Sequence, residues 1–223
     1  MGIAENISKV KKDLNKNVRL VAVSKTRPVS DLLDAYRCGQ RLFGENKVQE
    51  LVEKHDELPS DIEWHFIGHL QSNKMKYIAP FVGLIHSVDS FKLLKTIDKE
   101  GRKNNRKIRC LLQFHIAEEE TKFGLSLDEA IPFLSSPDFS ALRFVELCGV
   151  MGMATNTENQ QQVRQEFSQL KKIFERLNRD FFSEQNFFSE ISMGMSGDYR
   201  IAIEEGSTMV RVGSLIFGER VAR

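Results

Sequence analysis

Cysteine is scarce in this chain. Cys38, Cys110 and Cys148 are the three among 223 residues, an odd set with no C-x-x-C pair. That argues against a disulfide framework and a thiolate zinc site. A reducing cytoplasm is therefore the expected compartment. Long hydrophobic runs are missing too: none approaches the ~18 residues that suggest a membrane span. The first twenty residues lack an apolar core and mix Lys9, Lys11 and Lys12 with Glu5 and Asp13. They do not resemble a secretory signal. No charge sign dominates, since 32 Lys and Arg face 31 Asp and Glu. Such a chain has no global field to gather nucleic acid or an anionic membrane. The five prolines are scattered, and no Gly/Ser-rich linker divides the chain. A single domain over residues 1–223 is expected, because α/β barrels reach ~200–250 residues as one unit.

What is present is an alternation. Short apolar or β-branched runs fall at 19–25, 41–46, 63–68, 84–89, 108–115, 142–151, 187–194 and 208–214. Most precede a segment with helical signals. Pro28 to Asp31 leads into Leu32, Leu33 and Tyr36, and Asp89-Ser90 can cap a helix running to Gly101. After Asn156-Thr157, Val163, Phe167, Leu170, Phe174 and Leu177 form one apolar stripe at helical spacing. A further helix is expected near residues 3–16, within a leading segment 1–17. Eight such units predict an α/β fold, a closed (β/α)8 barrel, with an open doubly wound sheet as the rival. Function then belongs at the C-terminal ends of the strands.

Two kinds of feature occupy those ends. The first run is Arg-Leu-Val-Ala-Val-Ser-Lys, and period-2 alternation puts Val21, Val23 and Lys25 on one face. If that face lines the barrel, desolvation disfavours the ammonium form, and a free amine suits Schiff-base chemistry with an aldehyde. Taken alone, the strand fits better a lysine that starts a loop and snorkels to water, since lysine is usually exposed. The second feature is a pair of small-residue loops. One reads Ile191-Ser-Met-Gly-Met-Ser-Gly-Asp198, where Ser196 or Asp198 is expected to cap a helix, and the other ends Val210-Arg-Val-Gly-Ser214. Such helix starts bind phosphate, and barrels often build phosphate sites after strands seven and eight. A ligand with a phosphate and an aldehyde follows, either pyridoxal 5′-phosphate or a phosphosugar. Arg211 then either faces a ligand ring or holds a carboxylate such as Glu190.

Several stretches, in order, resemble the pyridoxal phosphate homeostasis proteins, also called the proline synthase co-transcribed family. They are Val21-Ala-Val-Ser-Lys-Thr26, Phe43-Gly-Glu-Asn-Lys-Val-Gln-Glu50, Trp64-His-Phe-Ile-Gly-His-Leu-Gln-Ser-Asn-Lys74, His86-Ser-Val-Asp89, Lys122-Phe-Gly-Leu125, Ser192-Met-Gly-Met-Ser196 and Gly206-Ser-Thr-Met-Val-Arg-Val-Gly-Ser-Leu-Ile-Phe-Gly218. The resemblance implies a single TIM-type barrel like the N-terminal domain of alanine racemase, the third fold type of pyridoxal phosphate (vitamin B6) proteins. It implies Lys25 as the Schiff-base lysine and Met195, Ser196, Gly213 and Ser214 at the phosphate. It puts Arg211 against the pyridine nitrogen and Asn46 beside the ring. An arginine there keeps that nitrogen unprotonated and weakens the ring as an electron sink.

The resemblance implies pyridoxal phosphate homeostasis without catalysis, with no catalytic residue assigned. Alanine racemase adds a second domain with a tyrosine base, for which 223 residues leave no room. Tyr36, Tyr77 and Tyr199 fall in predicted helices. The alternatives are a small racemase using His69 or His115 as base, or a phosphosugar Schiff-base lyase. Expected partners are the cofactor, and cofactor-dependent apoenzymes or amino acids, for a monomer. The strand-five and strand-six ends depart from the usual family pattern near the mouth. His65 and His69 lack the ligand set of a metal site. The basic 102–107 segment, the 118–120 acidic run and the paired phenylalanines at 181–182 and 187–188 read as solvated surface, a solvated loop and a core cover.

Overall fold

The computed structural model describes residues 2–119 and 123–219. Of the stretches quoted above, Lys122 and Glu120 therefore lie outside the described residues.

The elements follow the alternation. They are α1 Ile3–Asp13, β1 Arg19–Val23, α2 Val29–Arg37, β2 Leu42–Glu45, α3 Val48–Glu57, β3 Glu63–Phe66, α4 Met75–Ile78, β4 Leu84–Val88, α5 Phe91–Lys103, β5 Ile108–Gln113, α6 Leu127–Leu134, α7 Pro137–Ser140, β6 Val145–Met151, α8 Gln160–Leu177, β7 Glu190–Ser192, α9 Tyr199–Glu204, β8 Met209–Val212 and α10 Ser214–Phe217. The eight strands pair in parallel and in order, and β8 closes on β1 through Arg19–Met209 to Ala22–Val212. The open-sheet alternative is thereby excluded. Each strand lies inside one of the eight apolar runs. Among the described residues, no helix is long and apolar enough to cross a membrane.

Strand alternation divides the core in two. On β1, Leu20 and Ala22 face the helices and join the large outer cluster, while Val21 joins Leu42, Leu84, Leu111, Cys148, Met151 and Met209 inside the barrel. Period-2 geometry requires this once the sheet closes.

The helix signals held with small shifts. Ser90 Oγ accepts from Leu93 N at 3.3 Å, and α5 runs past Gly101 to Lys103. The helix after Asn156-Thr157 begins at Gln160, and Asn159 caps it through Oδ1 to the amides of Gln161 and Gln162. The α8 stripe is buried at Val163, Phe167, Leu170 and Leu177, and Phe174 packs at its margin. Phe174, Phe188 and Phe182 stack in sequence at 5.1 and 4.2 Å, so the phenylalanine pairs do cover the core; Phe187 stays exposed. One surface reading needs correction. Arg106 is no solvated cation: its guanidinium donates to the carbonyls of Ala79 and Val82 at 2.7 and 2.8 Å, closing the end of α4.

Candidate functional site

A cavity of about 480 Å³ opens over the C-terminal ends of the strands. That size lies within the ~300–1,000 Å³ usual for small-ligand sites. Lys25, Asn46, Met195, Ser196, Arg211, Gly213 and Ser214 all line it, contributed by the ends of β1, β2, β7 and β8. The barrel thus brings together every cofactor-site residue expected from the sequence, and with them His69, one of the two candidate bases. It adds Arg27, Gly68, Gln113, Phe123 and Met153. His115 lies elsewhere, with Nε2 2.9 Å from the Glu119 carbonyl, which removes it as a base for this cavity.

Lys25 stands two residues beyond the end of β1, on the inward face that alternation assigned it. Its turn is pinned on both sides. The Ser24 amide donates to Gly44 O at 3.0 Å, and the Ser24 hydroxyl donates to Glu45 Oε1 at 2.6 Å. Lys54 Nζ reaches up from α3 and donates to Ser24 O, Glu45 Oε1 and Glu50 Oε1, each at 2.7 Å. Thr26 N donates to Glu50 Oε1 at 2.5 Å. Thr26 has φ of 64°, a left-handed conformation that costs a β-branched residue of order 1–3 kcal/mol. The Glu50 carboxylate holds it there. Glu45 is fully buried, and burial pushes its carboxyl above the ordinary carboxylate range against the pull of Lys54. The sequence reading missed this network.

The β7 and β8 loops meet. Ser196 Oγ accepts from Gly213 N at 3.3 Å, joining the two small-residue turns into one surface. Gly194 adopts φ of 93°, and a Cβ there would stand 2.5 Å from Ala202 Cβ, so the turn into α9 requires glycine. Asp198 occupies the cap position of α9, but its carboxylate does not cap. It turns back to accept from Met195 N at 2.5 Å. The expected helix cap is thus replaced by a closed loop. Helix geometry leaves the Ser214 and Leu215 amides at the start of α10 without intrahelical acceptors.

Arg211 is 4% exposed. Nη1 donates to Ser192 Oγ at 2.6 Å and Nη2 to Gly152 O at 3.1 Å. Burial lowers its pKa to about 10, still well above neutrality. The alternative partner Glu190 is taken: it accepts from Arg19 at 2.6 Å. One strand beyond β1, at the end of β2, Asn46 Oδ1 is buried without a hydrogen-bond partner among the described residues. Asn46 is pressed against Gly68, where any Cβ would stand 2.3 Å from the Asn46 carbonyl oxygen. At the rim, His69 Nδ1 lies 3.1 Å from Asp89 Oδ2, and its ring stacks on Phe123 at 4.6 Å. His65 is no neighbour of His69; it is buried in the barrel. Among the described residues no cluster of three potential metal ligands occurs.

A sequence profile of the alanine racemase N-terminal domain family matches residues 2–221. The pyridoxal phosphate homeostasis protein of Aquifex aeolicus is 40% identical over 207 residues, covering 91% of this chain and 87% of its own. PipY of Synechococcus elongatus, solved with pyridoxal phosphate bound, superposes with a TM-score of 0.87 at 34% identity, covering 97% of this chain and 100% of its own. Alanine racemase of Bartonella henselae shares the fold at a TM-score of 0.74 and 15% identity, and this chain spans 63% of it.

Proposed function

The chain belongs to the alanine racemase N-terminal domain family, and we propose that it binds pyridoxal 5′-phosphate in the cavity over its barrel and serves pyridoxal phosphate homeostasis, as a holder of the cofactor without catalysis of its own. The observation that carries this reading is convergence. A lysine, a joined pair of phosphate-type loops and a buried arginine line one cavity. The named role of the Aquifex relative and the ligand of PipY support it. On this reading residues 1–223 act as one cofactor-binding unit.

The residues present fit the group. The orphaned Asn46 Oδ1 has acceptor capacity to offer a ring hydroxyl. Glycine at 68 lets the backbone approach closely beside it. Pyridoxal phosphate supplies an aldehyde that an amine can capture and a ring that withdraws electrons. Lys25 is the amine, held on a turn that Lys54 and Glu50 anchor. Ser196 and Ser214 offer hydroxyl donors and the start of α10 offers amides to the phosphate, with Met195 beside them and Gly213 tying the two loops together through Ser196. Arg211 is donor-only, so it favours an unprotonated pyridine nitrogen and restrains carbanion chemistry.

A racemase is the second reading, and one observation favours it: His69, paired with Asp89, lines the same cavity. The three tyrosines do not line it. Borohydride reduction of the cofactor-loaded protein, followed by peptide mapping, tests the first reading. The modification is expected on Lys25, and the visible band is expected to vanish in Lys25→Ala. A protein that takes up no cofactor, or a label on another lysine, overturns the assignment.

A further inference from the structure

Two buried histidines inside the barrel take no part in the site as proposed, yet they connect to it. Glu63 Oε1 lies 3.0 Å from His65 Nε2, and His65 Nδ1 lies 2.8 Å from His86 Nε2. His86 Nδ1 lies 2.9 Å from Ser192 Oγ, which accepts from Arg211 Nη1. Four hydrogen bonds thus run from the entry of β3 through β4 and β7 to the cavity-facing arginine on β8.

The two ends fix the direction of every bond. A guanidinium is donor-only, and an ionised carboxylate is acceptor-only. Glu63 therefore accepts from His65 Nε2–H. A neutral imidazole carries one N–H, so His65 Nδ1 is an acceptor and His86 donates to it from Nε2. His86 Nδ1 is then an acceptor in turn and takes the Ser192 hydroxyl proton. The Ser192 oxygen is left facing Arg211. Each donor points from Arg211 towards Glu63, with no alternative tautomer while both rings are neutral.

The surroundings keep them neutral. Burial, above all, draws both histidines below their ordinary value. Arg19 and Arg109 stand 4.0 and 3.9 Å from Glu63 and oppose a second proton on His65, although Glu63 itself favours one. His65, Arg211 and Arg19 oppose one on His86. The hydrogen bond to His65 holds Glu63 below the usual carboxylate range, hence ionised.

We infer that His86 is a positioning residue for Arg211: through Ser192 it fixes the guanidinium that faces the cofactor ring, and the chain conveys the Glu63 carboxylate to that arginine. This rests on the cofactor reading above. An apolar filler would pack the same interior without matched partners. The matched chain ends instead at the one cavity arginine that is buried.

The test has two arms. In protein without added cofactor, ¹⁵N NMR is expected to show His65 and His86 as neutral Nε2–H tautomers between about pH 6 and 8. An Nδ1–H tautomer or a charged ring overturns the chain. In cofactor-loaded protein, His86→Leu is expected to shift the visible band and raise the dissociation constant for pyridoxal phosphate roughly tenfold, the worth of one hydrogen bond. His86→Gln should recover most of both, since its amide accepts from Ser192 and donates to His65. A folded His86→Leu protein with parental band and affinity refutes the role. Should that variant fail to fold, Glu63→Gln at the half-exposed end is expected to shift the same band, and an unmoved band refutes the coupling. A parent that binds no pyridoxal phosphate is a different outcome: it sinks the cofactor reading and the role at Arg211 with it, while the tautomers still report on the chain.

Discussion

Lys54 Nζ donates to the carbonyl oxygen of Ser24 at 2.7 Å across thirty residues of sequence, one peptide away from Lys25. All three ammonium protons of Lys54 are spent at this turn and on the two carboxylates that brace it. The lysine of α3 is therefore a structural clamp on the lysine of the cavity.

Lys54→Met removes that clamp and strands Glu45, whose side chain is fully buried. Breaking one partner of a buried pair costs about 3–5 kcal/mol. The variant is expected to unfold at lower denaturant and to bind pyridoxal phosphate more weakly, because Thr26 and Ser24 lose their anchors. Adding Glu45→Gln should restore part of the stability by removing the stranded charge, but little of the affinity. Urea titration and cofactor titration of the single and double variants check this. Parental affinity in the single variant would show that the clamp does not position Lys25.

Stability should fall on mild acidification. Both buried histidines titrate below their ordinary value near 6.5, chiefly through burial. Below about pH 6.5 the unfolded chain takes up protons that the native state refuses, so unfolding is favoured as pH drops. The limiting slope is roughly 1.4 kcal/mol per pH unit for each group. Glu45 acts in the opposite sense. Its raised carboxyl lets the native state bind a proton first, which offsets part of the loss as pH nears the carboxylate range. Above pH 7 the curve should be flat for these groups. Thermal melts from pH 7.5 to 5.5 check the slope, and His86→Gln should remove about half of it. A flat profile would mean that the rings accept protons in the native state.

These two predictions use residues at opposite extremes of legibility. The barrel was written in the order of the apolar runs, because strands buried on both faces cannot hide their composition. Lys25 lines the cavity, the face on which period-2 alternation carried from strand into turn puts it. Lys54 was not legible as a clamp. Glu50 and Lys54 sit four apart on α3, the spacing of an ordinary solvent-exposed helix pair, and only packing of α3 under the β1 turn buries Lys54 and half-buries Glu50. The histidine chain was hidden for a related reason. His65, His86, Ser192 and Arg211 belong to four strands, and only closure of the barrel brings them into contact. Asp198 looked like a helix cap from its spacing alone. Its carboxylate chose the nearer Met195 amide because Gly194 folds the loop back at φ of 93°.

The joined loops make a prediction about the phosphate alone. Ser196 Oγ ties the two turns through Gly213 N. Ser196→Ala should loosen that tie and remove a hydroxyl from the cavity wall, weakening pyridoxal phosphate by about tenfold, one hydrogen bond's worth. Pyridoxal lacks the phosphate and should bind parent and variant alike. Parallel titrations with the two ligands check this. Equal loss for both would place Ser196 away from the phosphate.

His69 decides between holding and turning over an amino acid. Its ring stacks on Phe123, and its Nδ1 faces Asp89 at the rim, with about half of the side chain exposed. A general base gains its reach from being placed at the proton it removes. A solvent-facing ring already engaged by a carboxylate and an aromatic is poorly placed for that. Arg211 further restrains the electron demand that α-proton loss requires. The cofactor-loaded protein is therefore expected to exchange the α-proton of alanine in heavy water no faster than free pyridoxal phosphate does. His69→Ala should leave that background unchanged while leaving cofactor affinity close to parental. Proton NMR of the alanine signal follows the exchange directly. Rapid exchange in the parent that disappears in His69→Ala would replace the homeostasis reading with a racemase whose base is His69.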